Sequence, residues 1–131
     1  MTKLLYIPLL LFSLTSNAIE EEVVIIKANI LINSISNDYS HCAAFFMTLA
    51  NGLGDARPTH TKSLQELSQV SSLVGMQLSA INTDTDIAIN IYKDIFEKNI
   101  KKMNKELNNN QEIFITKNGE KCGNLLSPLT N

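Results

Sequence analysis

The sequence has few of the features that mark specialised classes of protein. It contains no tryptophan, five glycines, three prolines and two cysteines among 131 residues. Eleven Lys and Arg side chains stand against 13 Asp and Glu side chains, which gives a formal net charge of −2 at pH 7. Because sequence-independent binding of nucleic acid needs clustered basic side chains, this balance predicts no nucleic-acid partner.

The composition is that of a folded chain. Hydrophobic residues make up 44% of the sequence and charged residues 18%, whereas disordered chains combine low hydrophobicity with high net charge. The length allows one domain with one core. We therefore expect a single folded domain over residues 19–131.

The first eighteen residues have the pattern of a secretory signal peptide. Lys3 supplies a positive charge, residues 4–14 form an almost unbroken apolar run, and Ser16-Asn17-Ala18 places small residues where a signal peptidase cleaves. The alternative is a membrane anchor, but crossing about 30 Å of hydrocarbon takes about 20 apolar residues. We predict cleavage after Ala18, export to the periplasm or the medium, and no stable membrane insertion afterwards. The abundance of Ile and Asn is typical of an AT-rich coding sequence, which we interpret as bacterial.

Export decides how the two cysteines are interpreted. Cys42 and Cys122 are the only thiols, and an oxidising compartment favours their pairing. Redox catalysis usually uses Cys-x-x-Cys, and structural zinc uses four Cys or His ligands at short spacings. Neither pattern occurs, so we predict one disulfide between Cys42 and Cys122.

Apolar residues recur at spacings of three and four through the first part of the mature chain, which predicts helices. Residues 20–53 form either one helix or two, divided at Ser36-Asn37-Asp38, with Gly52 and Gly54 at the end. The β-branched run of residues 23–26 also suits a strand. A loop of about ten residues follows, and the Ser63–Glu66 capping box begins the second helix. The second helix carries an apolar stripe of Leu64, Leu67, Ser71, Val74, Leu78 and Ile81.

A third and a fourth helix follow from the same spacing. Residues 108–110, all Asn, separate them, and residues 111–123 favour a short helix over a hairpin at Asn118-Gly119, because a lone two-stranded ribbon is marginal. The third stripe is Ile87 or Ala88, then Ile91, Ile95, Met103 and Leu107. The predicted fold is all-α, a small up-down bundle of three to four helices held by one disulfide.

Two acidic residues near the third helix suggest a metal site, which the spacing does not favour. Asp84 and Asp86 resemble the start of a calcium loop, but such a loop needs Gly and Glu where this sequence has Ile89 and Ile95. Helix capping by Thr83 or Asp84 accounts for these residues without a metal. We predict no metal site.

The two histidines lack the motifs of a catalytic or haem site. His41 stands beside Cys42, and His60 stands in the predicted loop. Neither a Gly-x-Ser-x-Gly elbow nor a haem-attachment motif is present. Haem between the helices, with a Met ligand, is the remaining alternative, for which the candidates are Met47, Met76 and Met103. We expect no catalytic residue and no cofactor.

Phe45, Phe46 and Met47 are the candidate interaction surface. Three consecutive large apolar side chains cannot all face one core, because neighbours on a helix point about 100° apart. One of them is expected to reach another helix, the C-terminal segment or a partner, with the contacts inside the chain favoured. The predicted function is a non-enzymatic binding or interaction factor, such as an accessory subunit, an inhibitor or a chaperone-like protein. The alternative is a helical carrier of a small apolar ligand or haem.

Overall fold

The computed structural model describes the backbone of residues 6–130 and the side chains of residues 19–128. Within residues 6–130 the chain forms four α-helices and one short 3-10 helix, and no strand. The helices are α1 (Tyr6–Leu53), α2 (Pro58–Ser79), α3 (Thr85–Asn109) and α4 (Gln111–Thr130), with the 3-10 turn Gly54–Ala56 after α1. The predicted small all-α bundle is confirmed, and so is its Cys42–Cys122 disulfide.

The chain divides into two compact units, Met1–Ile32 and Asn33–Asn131. The first unit holds the N-terminal part of α1, and the second holds the remainder of α1 with α2, α3 and α4. None of the described helices is both long enough and apolar enough to cross a membrane. The signal-peptide prediction concerns residues 1–18, whose side chains lie outside the described part of the chain.

Residues 20–53 belong to one helix rather than two. Ser36 does not interrupt α1, because its side chain is buried and donates a hydrogen bond of 2.8 Å to the carbonyl of Gly75 on α2 instead of bonding locally. The helix ends at Leu53. The next residue, Gly54, has a φ of +51°, which residues other than glycine rarely adopt. The predicted end at this glycine pair is confirmed.

The predicted loop and capping box before the second helix are wrong. α2 begins at Pro58, a residue that suits the first helical turn because it has no N–H to leave unpaired. Ser63 lies inside the helix, where its hydroxyl donates to the carbonyl of Thr59 at 3.1 Å. His60 therefore lies in the first turn of α2, not in a loop, and its side chain is exposed.

In the N-terminal half of α3 the predicted stripe is partly wrong: of the alternatives Ile87 and Ala88 the buried residue is Ala88, and Tyr92 takes the place predicted for Ile91. Ala88 and Tyr92 are buried, whereas Ile87 and Ile91 are 52% and 50% exposed. The aromatic ring of Tyr92 lies against Gly75 of α2, in the space that a side chain there would fill. Further along, Met103 is buried as predicted.

The N-cap predicted for α3 is confirmed, and a side chain also caps the start of α4. Asp84 is the N-cap of α3, and its carboxylate accepts a hydrogen bond from the N–H of Asp86 at 2.9 Å. Asn110 separates α3 from α4, and its side chain accepts from the N–H of Ile113 at 3.0 Å. The C-terminal segment is a helix, as favoured, and it continues past the predicted end at residue 123 to Thr130.

Small side chains bring the backbones of α1 and α2 close together. The hydroxyl of Ser68 donates to the carbonyl of Ala43 at 2.8 Å, which adds to the bond from Ser36 to Gly75. Ser36 also shares a hydrogen bond of 2.6 Å with the hydroxyl of Ser79. Hydroxyls on each helix thus reach backbone carbonyls of the other, which only short side chains at the crossing allow.

The disulfide fixes α1 to α4 at the centre of the core. Cys42 and Cys122 are fully buried, with their Cα atoms 5.4 Å apart. The bridge joins residues 80 positions apart, for which the chain-entropy model gives a stabilisation of about 4.5 kcal/mol. Phe45 packs beside it, with its ring 5.4 Å from the ring of Phe114 on α4.

The close packing around Gly75 predicts that alanine at this position destabilises the protein. A Cβ on Gly75 lies 2.6 Å from a ring carbon of Tyr92 and 3.3 Å from the carbonyl oxygen of Ser36. Overpacking of this kind lowers the free energy of unfolding by about 1–3 kcal/mol, so Gly75→Ala should destabilise the protein although alanine favours helices. Denaturant titration followed by circular dichroism measures the change.

Gly123→Ala is the matched control for Gly75→Ala. Gly123 also lies inside a helix, but nothing lies within 4 Å of its Cβ position. Alanine should therefore raise the free energy of unfolding there by about 0.5–1 kcal/mol. Equal effects at the two glycines would contradict the close packing at Gly75.

Candidate functional site

The structure separates the three residues of the predicted interaction surface. Phe45 and Phe46 are 2% and 8% exposed, and their ring centroids lie 5.3 Å apart within the core. They are therefore not part of an accessible surface, because the intramolecular contact with Phe114 on α4 takes up Phe45. Met47 is half-buried and borders a groove outside the core.

This Met47 groove is formed by α1, α2 and α3. Its volume is about 430 Å³, and Leu73 on its wall is 56% exposed. Thioether, aliphatic and aromatic groups form the apolar part of the wall, and two hydroxyls and one amide form the polar part. The lining residues are Met47, Ser68, Gln69, Ser72, Leu73, Met76 and Phe96.

Sequence reasoning found Met47 but missed the rest of the groove. Leu73 lies one position before Val74, a member of the predicted core stripe, so a large apolar residue off the stripe was the available signal. From its sequence position, Met76 is a candidate only as a haem ligand. Phe96 follows Ile95 of the third stripe, and its half-buried side chain packs against both the core and the groove.

A second concave surface lies where α1 ends. It has a volume of about 620 Å³, within the range of small-molecule sites. Gly52 lines it, and a Cβ built there meets no atom within 4 Å. The other lining residues of this end cleft are Leu49, Leu53, Leu64, Leu107, Asn108, Gln111 and Ile115.

His41 is held in one orientation by α4. Its Nε2 lies 2.8 Å from Oδ1 of Asn118, and the amide nitrogen of Asn118 donates to the carbonyl of Phe114 at 2.9 Å. Because that second bond leaves only the acceptor oxygen facing the imidazole, Nε2 carries the proton. Nδ1 is therefore the atom that takes up a proton when His41 becomes charged.

The surroundings of His41 favour its neutral form. Burial lowers its pKa from the ordinary value of 6.5, and the hydrogen bond with Asn118 opposes that effect. The charges of Lys121 and Lys102 lower the pKa further, while Glu106 raises it. Lys121 also forms an ion pair of 2.8 Å with Asp38.

Neither histidine meets a set of metal ligands. No group of three or more His, Cys, Asp or Glu side chains that could hold a metal ion occurs among the described residues. Of the methionines weighed as haem ligands, Met103 is 1% exposed and belongs to the core cluster, while Met47 and Met76 line the groove. The structure does not bring His41 into the lining of either the groove or the end cleft.

Known proteins give no further guide to the site. No protein-family model matches the sequence, and no match was found among curated proteins or solved structures. The residues themselves are therefore the basis for a functional proposal.

The lowered pKa of His41 predicts a loss of stability in mild acid. The unfolded chain takes up a proton on His41 near pH 6.5, whereas the folded chain resists protonation until a lower pH. Because the unfolded state then binds more protons, the free energy of unfolding should fall as the pH drops below about 6.5. The decline should level off below the folded pKa.

Denaturant titrations between pH 7.5 and 5 measure this decline. His41→Gln keeps an N–H for Asn118 but cannot be protonated, so it should remove the His41 component of the pH dependence. His60→Gln is the control, because His60 is exposed on the first turn of α2. An unchanged pH profile in His41→Gln would contradict the assignment.

Proposed function

We propose that this protein is an exported, non-enzymatic interaction protein that docks an apolar helical segment of a partner protein in the Met47 groove. The observation that carries the proposal is the exposure of Leu73 beside two methionines and Phe96 in a concave surface outside the core. The fully buried disulfide supports export, because such bridges persist in oxidising compartments.

The chemistry of the groove suits side-chain packing. Methionine is flexible and polarisable, so Met47 and Met76 can adapt to the shape of an inserted side chain. The hydroxyl of Ser72 and the amide of Gln69 stand on the same wall, where they can bond polar groups at the edge of a partner helix. Helix-in-groove recognition uses such a surface to hold apolar anchors at spacings of three, four and seven residues.

Substitution in the groove tests the docking proposal. Leu73→Glu places a carboxylate on the apolar wall, where a docked helix leaves it buried and unpaired, so capture of the partner should fall at least tenfold. Ile87→Glu is the matched control, because Ile87 is 52% exposed and does not line the groove. Circular dichroism checks that both variants keep the wild-type helix content.

The measurement compares immobilised wild-type, Leu73→Glu and Ile87→Glu proteins incubated with the periplasmic or secreted fraction of the native host. Quantitative mass spectrometry should identify a protein that is retained by wild type and Ile87→Glu and lost with Leu73→Glu. Equal capture by all three would contradict docking in the groove.

The end cleft favours a second candidate function, a carrier of a small apolar ligand. Five aliphatic side chains line a volume of about 620 Å³, and such ligands bind mostly apolar clefts of this size. Gly52→Phe should fill the cleft without a clash at Cβ, whereas Gly123→Phe places the same ring in open space on α4.

Native mass spectrometry of protein from its host tests the carrier function. A carrier should retain a ligand in the wild-type and Gly123→Phe proteins and lose it in Gly52→Phe. A second measurement compares the binding of an apolar dye to the same three proteins. If none of them retains a ligand and Gly52→Phe does not reduce dye binding, the end cleft is ruled out as a carrier site.

A further inference from the structure

Residues 19–31 of α1, here called the aliphatic segment, expose more large apolar side chains than any other described stretch of this length. Seven of them are between 44% and 65% exposed. They are Ile19, Val23, Val24, Ile25, Ile26, Ile30 and Leu31. A helix that is apolar around most of its circumference is normally covered by another surface.

The aliphatic segment also has little intrinsic helix stability. Six of its seven exposed aliphatic residues are Val or Ile, whose branched side chains lose rotamer freedom in a helix. The segment is continuous with the remainder of α1, and most helical stability in proteins comes from packing of an apolar face rather than from intrinsic propensity. Burial against a second surface is therefore the source of stability that this segment needs.

One stripe of the segment has the spacing of a coiled-coil seam. Ile19, Val23, Ile26 and Ile30 are separated by four, three and four residues, and all four are exposed. Glu20 and Lys27 follow Ile19 and Ile26 and thus share one flank of the seam, seven residues apart. This flank carries one charge of each sign.

We propose that the aliphatic segment pairs with the same segment of a second copy of this chain, in antiparallel orientation. In that arrangement Val23 faces Ile26 of the second copy, and Ile19 faces Ile30. In this register Glu20 is offset by two residues from Lys27 of the second copy. At a rise of about 1.5 Å per residue, the two lie about 3 Å apart along the helix axis. The two-fold symmetry makes this ion pair twice.

The acidic triplet Glu20-Glu21-Glu22 decides the orientation. A parallel dimer places the two triplets side by side, where six carboxylates repel one another. The antiparallel dimer separates the triplet centres by about 10 Å along the axis and brings each triplet beside Lys27 of the other copy. The same carboxylates oppose insertion into an anionic membrane surface, so a second copy is the favoured occupant.

Sedimentation equilibrium of the chain as isolated from its producing cells, with its N-terminus defined by intact mass, tests the dimer. The mass should double with rising concentration. Ile26→Glu should return it to the monomer, whereas Ile25→Glu should not, because Ile25 is equally exposed, at 54% against 53%, but lies outside the seam.

Charge substitutions test the orientation. Lys27→Glu sets two carboxylates against each other twice and should raise the dissociation constant of the dimer roughly tenfold. Adding Glu20→Lys should restore the wild-type constant if the pairing is antiparallel. In a parallel dimer the partner of Lys27 is instead Glu22 of the second copy, five positions away in the sequence. Rescue by Glu22→Lys therefore overturns the proposed orientation.

Three further results overturn the proposal altogether. They are a monomer at every concentration, an assembly larger than a dimer, and a monomer that co-floats with phosphatidylglycerol vesicles and loses this binding in Ile26→Glu. None of these results bears on the Met47 groove, whose substitution Leu73→Glu lies on α2.

Discussion

The close approach of the α1 and α2 backbones is the constraint on which the remainder of the 33–131 unit depends. Ser36, Ala43, Ser68 and Gly75 are all buried at this contact, and two serine hydroxyls span it to reach carbonyls of the opposite helix. Because Gly75 has no side chain, the ring of Tyr92 from α3 fits against α2. At this point α3 buries Tyr92 rather than the neighbouring Ile91.

The sequence was sufficient to predict the features that depend on local chemistry. The disulfide, the Asp84 cap and the helix break before Gln111 each follow from residue type and position, and all three are confirmed. On α3, the burial of Ala88 and Met103 follows from the apolar spacing. The burial of Tyr92 in place of Ile91 does not, because apolar periodicity gives weight to aliphatic residues, whereas Tyr92 packs against Gly75, which has no side chain. The start of α2 at Pro58 differs from the predicted loop because proline suits a first helical turn as well as a loop.

The candidate site shows the same division between what could and could not be predicted. The run Phe45-Phe46-Met47 indicated that one residue reaches a surface outside the common core, and Met47 does border a groove. The contribution of Leu73 and Phe96 depends on how three helices meet, which no local pattern contains. The groove on α1, α2 and α3 and the aliphatic segment at residues 19–31 thus give the protein two apolar surfaces that can act independently, one proposed for a partner and one for self-association.

A double-mutant cycle between Gly75→Ala and Tyr92→Leu tests most directly whether the contact between Gly75 and Tyr92 sets the packing of α3. Leucine retains much of the volume of tyrosine but lacks the ring carbon that lies 2.6 Å from a Cβ at Gly75. If the close contact sets the position of α3, the loss of unfolding free energy caused by Gly75→Ala should shrink by at least about 1 kcal/mol in the Tyr92→Leu background. Equal losses in both backgrounds would contradict the contact between Gly75 and Tyr92 as the origin of the packing.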